Sequence, residues 1–146
     1  MGGESGARGI LVADDEPLLR RLIDRVLRGC GFEVTAVGDG DAAVACVTAP
    51  GADKLAVAVL DVGMPPHGGV AALEAILALR PDLGVIVISG VSPDLALREL
   101  LRSSGALFLA KPFAPEELVR AVDDALGARE ARLQSSPSAS GRGSGD

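Results

Sequence analysis

Five residues able to do chemistry stand directly after short apolar runs. Asp14 and Asp15 follow the run 10–13, Asp61 follows 55–60, Ser89 follows 85–88, and Lys111 follows 106–110. Adjacent aspartates repel each other unless a cation relieves them, so a hard, oxygen-preferring ion such as Mg²⁺ is their natural guest. Mg²⁺ keeps several waters, which leaves room for phosphate oxygens. A phosphoryl group would then meet the metal on one side and the Lys111 ammonium and Ser89 hydroxyl on the other. Positioning and charge neutralisation are what phosphoryl transfer needs.

These residues can meet only if the apolar runs lie side by side. The runs 10–13, 32–37, 55–60, 85–88 and 106–110 are rich in Val, Ile and Leu, and several show no in/out alternation. That pattern suits parallel strands covered on both faces. Between them lie stretches with helical spacing. Leu18, Leu19, Leu22, Ile23, Val26 and Leu27 fall on one face as core, with Gly29 as a stop. The segments 42–47, 70–79, 95–101 and 115–126 repeat the pattern, and Pro17, Pro93 and Pro115 each suit the first turn of a helix. Alternating strands and helices predict an α/β, doubly wound fold: a five-stranded parallel (βα)5 sheet with helices on both faces. Ligands of such folds bind beyond the carboxyl ends of the strands, where all five polar residues stand.

The strings Ile-Leu-Val-Ala-Asp-Asp-Glu-Pro (10–17), Leu-Asp-Val-Gly-Met-Pro (60–65), Ile-Ser-Gly (88–90) and Ala-Lys-Pro-Phe (110–113) resemble the receiver domain of two-component response regulators. The resemblance covers residues 8–133, with the motifs in the right order on the right elements. It implies the flavodoxin-like strand order 2-1-3-4-5. It also implies that Asp61 is the phosphoacceptor, attacking a phosphohistidine on a histidine kinase or phosphotransfer protein. Asp15 matches a direct Mg²⁺ ligand and Asp14 completes the acidic pocket through a metal-bound water. Asp61 and the backbone carbonyl of Gly63 match the remaining protein ligands. Ser89 matches the hydroxyl that turns toward the aspartyl phosphate, and Lys111 the ammonium that pairs with it. The Lys111–Pro112 peptide is implied to be cis. Phe108 matches the aromatic whose inward swing follows Ser89, altering the face of the fourth helix, fifth strand and fifth helix toward a downstream partner or a homodimer.

Composition narrows the field. The chain has 146 residues, 14 Lys+Arg against 20 Asp+Glu, and a net charge of -6. An acid excess argues against direct nucleic-acid binding, and three Phe with no Trp or Tyr argue against a base-stacking platform. Cys30 and Cys46 form no CxxC pattern and are expected as reduced, partly buried thiols, while His67, the single histidine, suits a solvated loop. No apolar run approaches the roughly 20 residues of a membrane helix, and residues 1–8 lack a signal-peptide core, so a cytoplasmic protein is expected. Residues 1–7 are expected as a flexible N-terminus and 134–146 as a disordered Ser/Gly-rich tail. With no output domain expected after residue 133, signalling would run through protein contact or onward relay.

Other functions compete. The same chemistry would serve a receiver module of a hybrid histidine kinase in a phosphorelay. A degenerate receiver used only for binding is opposed by the intact Asp14, Asp15, Asp61 and Lys111 set. An aspartyl-nucleophile phosphohydrolase of the haloacid-dehalogenase kind needs a second Asp two positions after the nucleophile, where this chain has Gly63. The chain is therefore read as a phosphoacceptor that catalyses only its own phosphorylation and dephosphorylation. It departs from the family at His67-Gly68-Gly69, where an acidic residue commonly caps the third helix. That loss costs about 1 kcal/mol locally.

Overall fold

The computed structural model describes residues 8–63 and 69–142, with side chains described as far as residue 133. In chain order the elements are β1 (Gly9–Ala13), α1 (Pro17–Gly29), β2 (Glu33–Val37), α2 (Gly40–Thr48), β3 (Leu55–Asp61), α3 (Gly69–Leu79), β4 (Gly84–Ser89), α4 (Leu95–Ser104), β5 (Leu107–Ala110) and α5 (Pro115–Arg142). A 3-10 turn at Ala52–Lys54 leads into β3. The five strands form one parallel sheet in the order β2-β1-β3-β4-β5, as expected.

Burial follows sheet position. Every residue of β1, β3 and β4 is buried, which is why those runs lack alternation. The edge strands β2 and β5 are covered less completely. Two apolar layers flank the sheet. Ile10, Val12, Val57, Val59, Ile86 and Ile88 pack against Ile23 and Leu27 of α1 and Leu118 and Val122 of α5. Leu11, Ala58, Leu60, Val85 and Val87 face the opposite way, onto Ala43 of α2, Leu73 and Ile76 of α3, and Leu97 of α4. The alternate residues of each central strand thus stabilise separate helical layers.

Local chemistry sets the helix ends. Asp39 and Asp94 cap α2 and α4, each accepting a backbone N–H three residues on at 2.8 Å. Pro17 opens α1 and Pro115 opens α5. Pro93 instead precedes the Asp94 cap, so it stands outside α4 rather than in its first turn. The α4 chain exits through Gly105 at φ 77°, a left-handed conformation that disfavours a Cβ.

Three further sequence expectations need correction. Leu18 and Leu22 are not core: they are 78% and 43% exposed, because the helical face of α1 is wider than the strip the sheet can cover. On α4, whose leucines spacing alone leaves unassigned, Leu95 is exposed while Leu97 is buried, and Leu100 and Leu101 pack partly against the core. Cys30 is exposed at the C-terminal cap of α1, although Cys46 is half-buried; both are free thiols. The last helix, expected to end at Leu126, continues to Arg142 and so enters the segment expected as a disordered tail. Extending a formed helix needs no new nucleation, although Pro137, which has no N–H, adds no hydrogen bond to it. Among the described residues no helix is long and apolar enough to cross a membrane.

Opposite the strand ends that carry the polar residues, Arg80 ties the end of α3 to the segment before β3. Its guanidinium donates to the carbonyls of Ala52 at 2.8 Å and Leu55 at 3.0 Å, and pairs bidentately with Asp82 at 2.9 Å. The hydrogen bond from Arg80 holds the Asp82 carboxyl below its usual value of 3.8, against the opposing effect of burial. Arg80→Met is expected to cost about 1–3 kcal/mol in urea unfolding by orphaning these acceptors. A depressed carboxyl contributes stability above its unfolded pKa and loses it as pH falls through the folded one. The gap between wild type and variant should therefore narrow as pH drops below 3.8.

Candidate functional site

Strand register brings the polar residues together. Ala13 of β1 lies beside Leu60 of β3, so the next residue, Asp14, falls beside Asp61. Asp61 pairs with Ile88, which sets Ser89 one step beyond it, and Ser89 pairs with Ala110, which sets Lys111 one step beyond that. Ladder hydrogen bonds continue past the strand ends, from Asp14 N–H to Val37 O at 3.1 Å and from Lys111 N–H to Ser89 O at 2.8 Å. The chain turns to opposite sides of the sheet after β1 and after β3, which opens the crevice between these two strand ends.

Carboxylate oxygens of Asp14, Asp15 and Asp61 all lie within 4.8 Å of one another. Asp14 and Asp61 are buried and Asp15 is exposed. Asp14 Oδ1 accepts the Glu16 N–H at 2.8 Å, whereas its buried Oδ2 accepts no hydrogen bond. The Lys111 ammonium is 3.5 Å from that oxygen, close enough for charge attraction alone. Burial raises the Asp14 pKa above 3.8, assisted by the charge of Asp61 and opposed by the Glu16 N–H and Lys111. An orphaned carboxylate oxygen in an all-oxygen cluster fits a hard divalent cation.

Lys111 is the cation already present. Its Nζ donates to Glu16 Oε1 at 2.7 Å and to Asp61 Oδ2 at 3.1 Å. Burial works against the ammonium, but hydrogen bonds to Glu16 and Asp61 and the charges of Asp14 and Asp61 outweigh it and hold its pKa above the usual lysine value. The other oxygen of Asp61 accepts the Gly63 N–H at 2.8 Å, which fixes the carboxylate plane. The Lys111–Pro112 peptide is cis.

The other predicted residues sit around this centre. Ser89 is buried, and its Oγ accepts the Val91 N–H at 3.1 Å, leaving its own proton free to donate. Phe108 pairs with Val87 in the sheet and packs, half-buried, in the layer of α2, α3 and α4. By strand alternation Ser89 shares that face, while Asp14 and Asp61 continue the face of α1 and α5. Gly63 is exposed after β3. His67 and Gly68 lie outside the described residues.

Three contributors were missed in the sequence. Glu16 reaches Lys111, and Arg20 donates to the Asp14 carbonyl at 2.7 Å. Glu16 follows Asp15 directly and Arg20 lies one helical turn after Glu16, which was the available signal. Gly69 begins α3 against the backbone of the site: a Cβ there would lie 2.2 Å from the Asp61 carbonyl oxygen and 2.5 Å from Val62 Cα. Beside the site, Glu16, Leu18, Leu22, Lys111, Pro112 and Phe113 border an open groove of about 800 Å³.

Two outcomes follow from this geometry. Asp14→Asn, measured without divalent cations, should raise the unfolding free energy by about 1 kcal/mol or more, since it removes a buried, incompletely paired charge. Gly69→Ala should destabilise the fold by about 1–3 kcal/mol, because only backbone can yield to the added methyl; urea melts check both.

The site can be set beside known proteins. The family model for the response regulator receiver domain matches residues 10–123. The DNA-binding response regulator MtrA of Mycolicibacterium smegmatis is 37% identical over 115 residues, which is 77% of this chain and 48% of that protein. The transcriptional regulatory protein PrrA of Mycobacterium leprae is 36% identical over 134 residues, 92% of this chain and 56% of that protein. Among solved structures, a response regulator receiver protein from Sinorhizobium medicae is 32% identical with a TM-score of 0.71, covering 84% of this chain and 97% of its own. A CheY-like receiver domain from Methanospirillum hungatei shares the fold at 22% identity and a TM-score of 0.77, covering 87% and 99%. The chain thus spans about half the length of the two regulators and nearly all of the two receiver structures. A sheet that aligns Asp14, Asp61 and Lys111 at its switch point, and a family match running from β1 into α5, place this chain in the receiver domain family of two-component response regulators.

Proposed function

We propose that this receiver takes a phosphoryl group onto Asp61 from the phosphohistidine of a histidine kinase or phosphotransfer protein. The observation that carries this reading is the meeting of three aspartates, with oxygens within 4.8 Å, and a lysine 3.1 Å from one of them. Asp14, Asp15 and Asp61, with the Gly63 carbonyl, would hold Mg²⁺. Bound there, the ion neutralises the approaching phosphoryl oxygens and orients them for in-line displacement. An Asp61 carboxylate oxygen forms the new bond to phosphorus as the bond to the donor histidine nitrogen breaks, and that nitrogen leaves with the electron pair. Lys111 pairs with a phosphoryl oxygen. The groove bordered by Leu18, Leu22 and Phe113 opens beside Lys111 and gives the donor protein an apolar seat next to the acceptor.

The group added to Asp61 brings charge and acceptor oxygens. Ser89, whose hydroxyl proton is uncommitted, turns toward them. Phe108 follows into the space released on the shared sheet face. The surface of α4, β5 and α5, which includes exposed Leu95, then shifts its population toward a form that binds a downstream protein or a second copy. The protein acts in the cytoplasm, without contacting nucleic acid or membrane, and hydrolyses its own aspartyl phosphate.

Incubation with a small acyl phosphate and Mg²⁺ should add a single phosphoryl mass, absent in Asp61→Asn and when the metal is chelated. Absence of an adduct at every Mg²⁺ concentration would point to a binding module instead. Steady turnover of unrelated phosphate esters would point to a hydrolase.

A further inference from the structure

The shortest contact of the Lys111 ammonium is not with the buried pocket. Its Nζ lies 2.7 Å from Glu16, 3.1 Å from Asp61 and 3.5 Å from Asp14. The Glu16 side chain is 59% exposed, against 18% for Lys111 and 6% for Asp61. The Glu16 backbone is held at the start of α1 by its N–H to Asp14 Oδ1, and its carbonyl accepts the Arg20 N–H at 2.9 Å. Its carboxylate therefore overhangs the pocket from an anchored base. Of the ammonium's three N–H donors, two donate to the Glu16 and Asp61 carboxylates, and Asp14 adds only its charge at 3.5 Å.

We infer that Glu16 is a latch on Lys111: it makes the ammonium's shortest contact in the unphosphorylated protein and competes for it with the incoming phosphoryl group. This rests on the phosphoacceptor reading above. Asp61 becomes the carrier of the phosphoryl group and cannot give way. Asp14 makes no hydrogen bond to Lys111. Glu16 is thus the partner that leaves, and water can solvate it as it does. Glu16 is a positioning residue, acting through Lys111 rather than on the reacting atoms, and it sets how readily the site accepts.

The test uses Glu16→Gln, which removes the charge, and Glu16→Asp, which keeps the charge but shortens the reach. In the unphosphorylated, metal-free chain, NMR of the Lys111 ammonium should show faster exchange with water in both variants than in wild type. Phosphoryl uptake from a small acyl phosphate with Mg²⁺ should be about two- to fivefold faster in both at low ionic strength, the range an exposed ion pair can bias. That advantage should vanish near about 1 M salt, where the screening length is about 3 Å. Unchanged ammonium exchange, unchanged or slower uptake, an advantage that survives high salt, or a Glu16→Asp variant indistinguishable from wild type would each overturn the latch. A wild-type chain that takes no phosphoryl group would overturn the phosphoacceptor reading instead, while ammonium exchange would still test the Glu16–Lys111 contact.

Discussion

Two carboxylates buried beside each other need positive charge, and in this chain the fold supplies it through Lys111. Asp14, Asp61 and Glu16 all lie within 3.5 Å of one ammonium, with Asp15 at the rim. Burial removes the water that would otherwise screen Asp14 and Asp61, so their interactions gain strength and an unpaired atom there becomes costly. The raised pKa of Asp14 and that of Lys111 express the two sides of this balance: burial resists the carboxylate's charge, and the surrounding carboxylates sustain the lysine's. Four carboxylates against one ammonium leave the pocket negative. That excess is compatible with a divalent cation at the three aspartates.

The sheet makes this arrangement possible. Parallel pairing aligns the ends of β1, β3, β4 and β5 on one edge, so residues separated by up to 97 positions, such as Asp14 and Lys111, become neighbours. Strand alternation then assigns them to sides. Asp14 and Asp61 continue the layer under α1 and α5, whereas Ser89 and Phe108 belong to the layer under α3 and α4. A group on Asp61 would lie between the two layers. Ser89 and Phe108 thus share the one sheet face that is covered by α3 and α4. The opposite end of the sheet is tied down by Arg80 and Asp82, far from the chemistry.

Much of this was legible in the residues. Uninterrupted Val, Ile and Leu runs identified central parallel strands because a strand covered on both faces has no reason to alternate, and β1, β3 and β4 are buried throughout. Helical spacing was less informative about coverage. Leu18 and Leu22 share the apolar face of α1 with Ile23 and Leu27, yet they stand exposed beside Lys111. Periodicity says which residues share a face, not how much of that face a neighbour covers. The same limit left Leu95 and Leu97 unresolved until α4 was packed against the sheet.

By itself the sequence determined the class of fold, the order of its elements and the residues at the strand ends, since these depend on local patterns that a chain carries in one dimension. Tertiary structure decided what those residues touch. That Asp14 keeps one oxygen orphaned, that Gly69 lies against the Asp61 backbone, and that Glu16 rather than an aspartate makes the shortest contact with Lys111 all depend on how the folded chain sets these groups against one another. Strand register and helix packing set those distances to within an ångström, and hydrogen bonding and charge pairing turn on differences of that size.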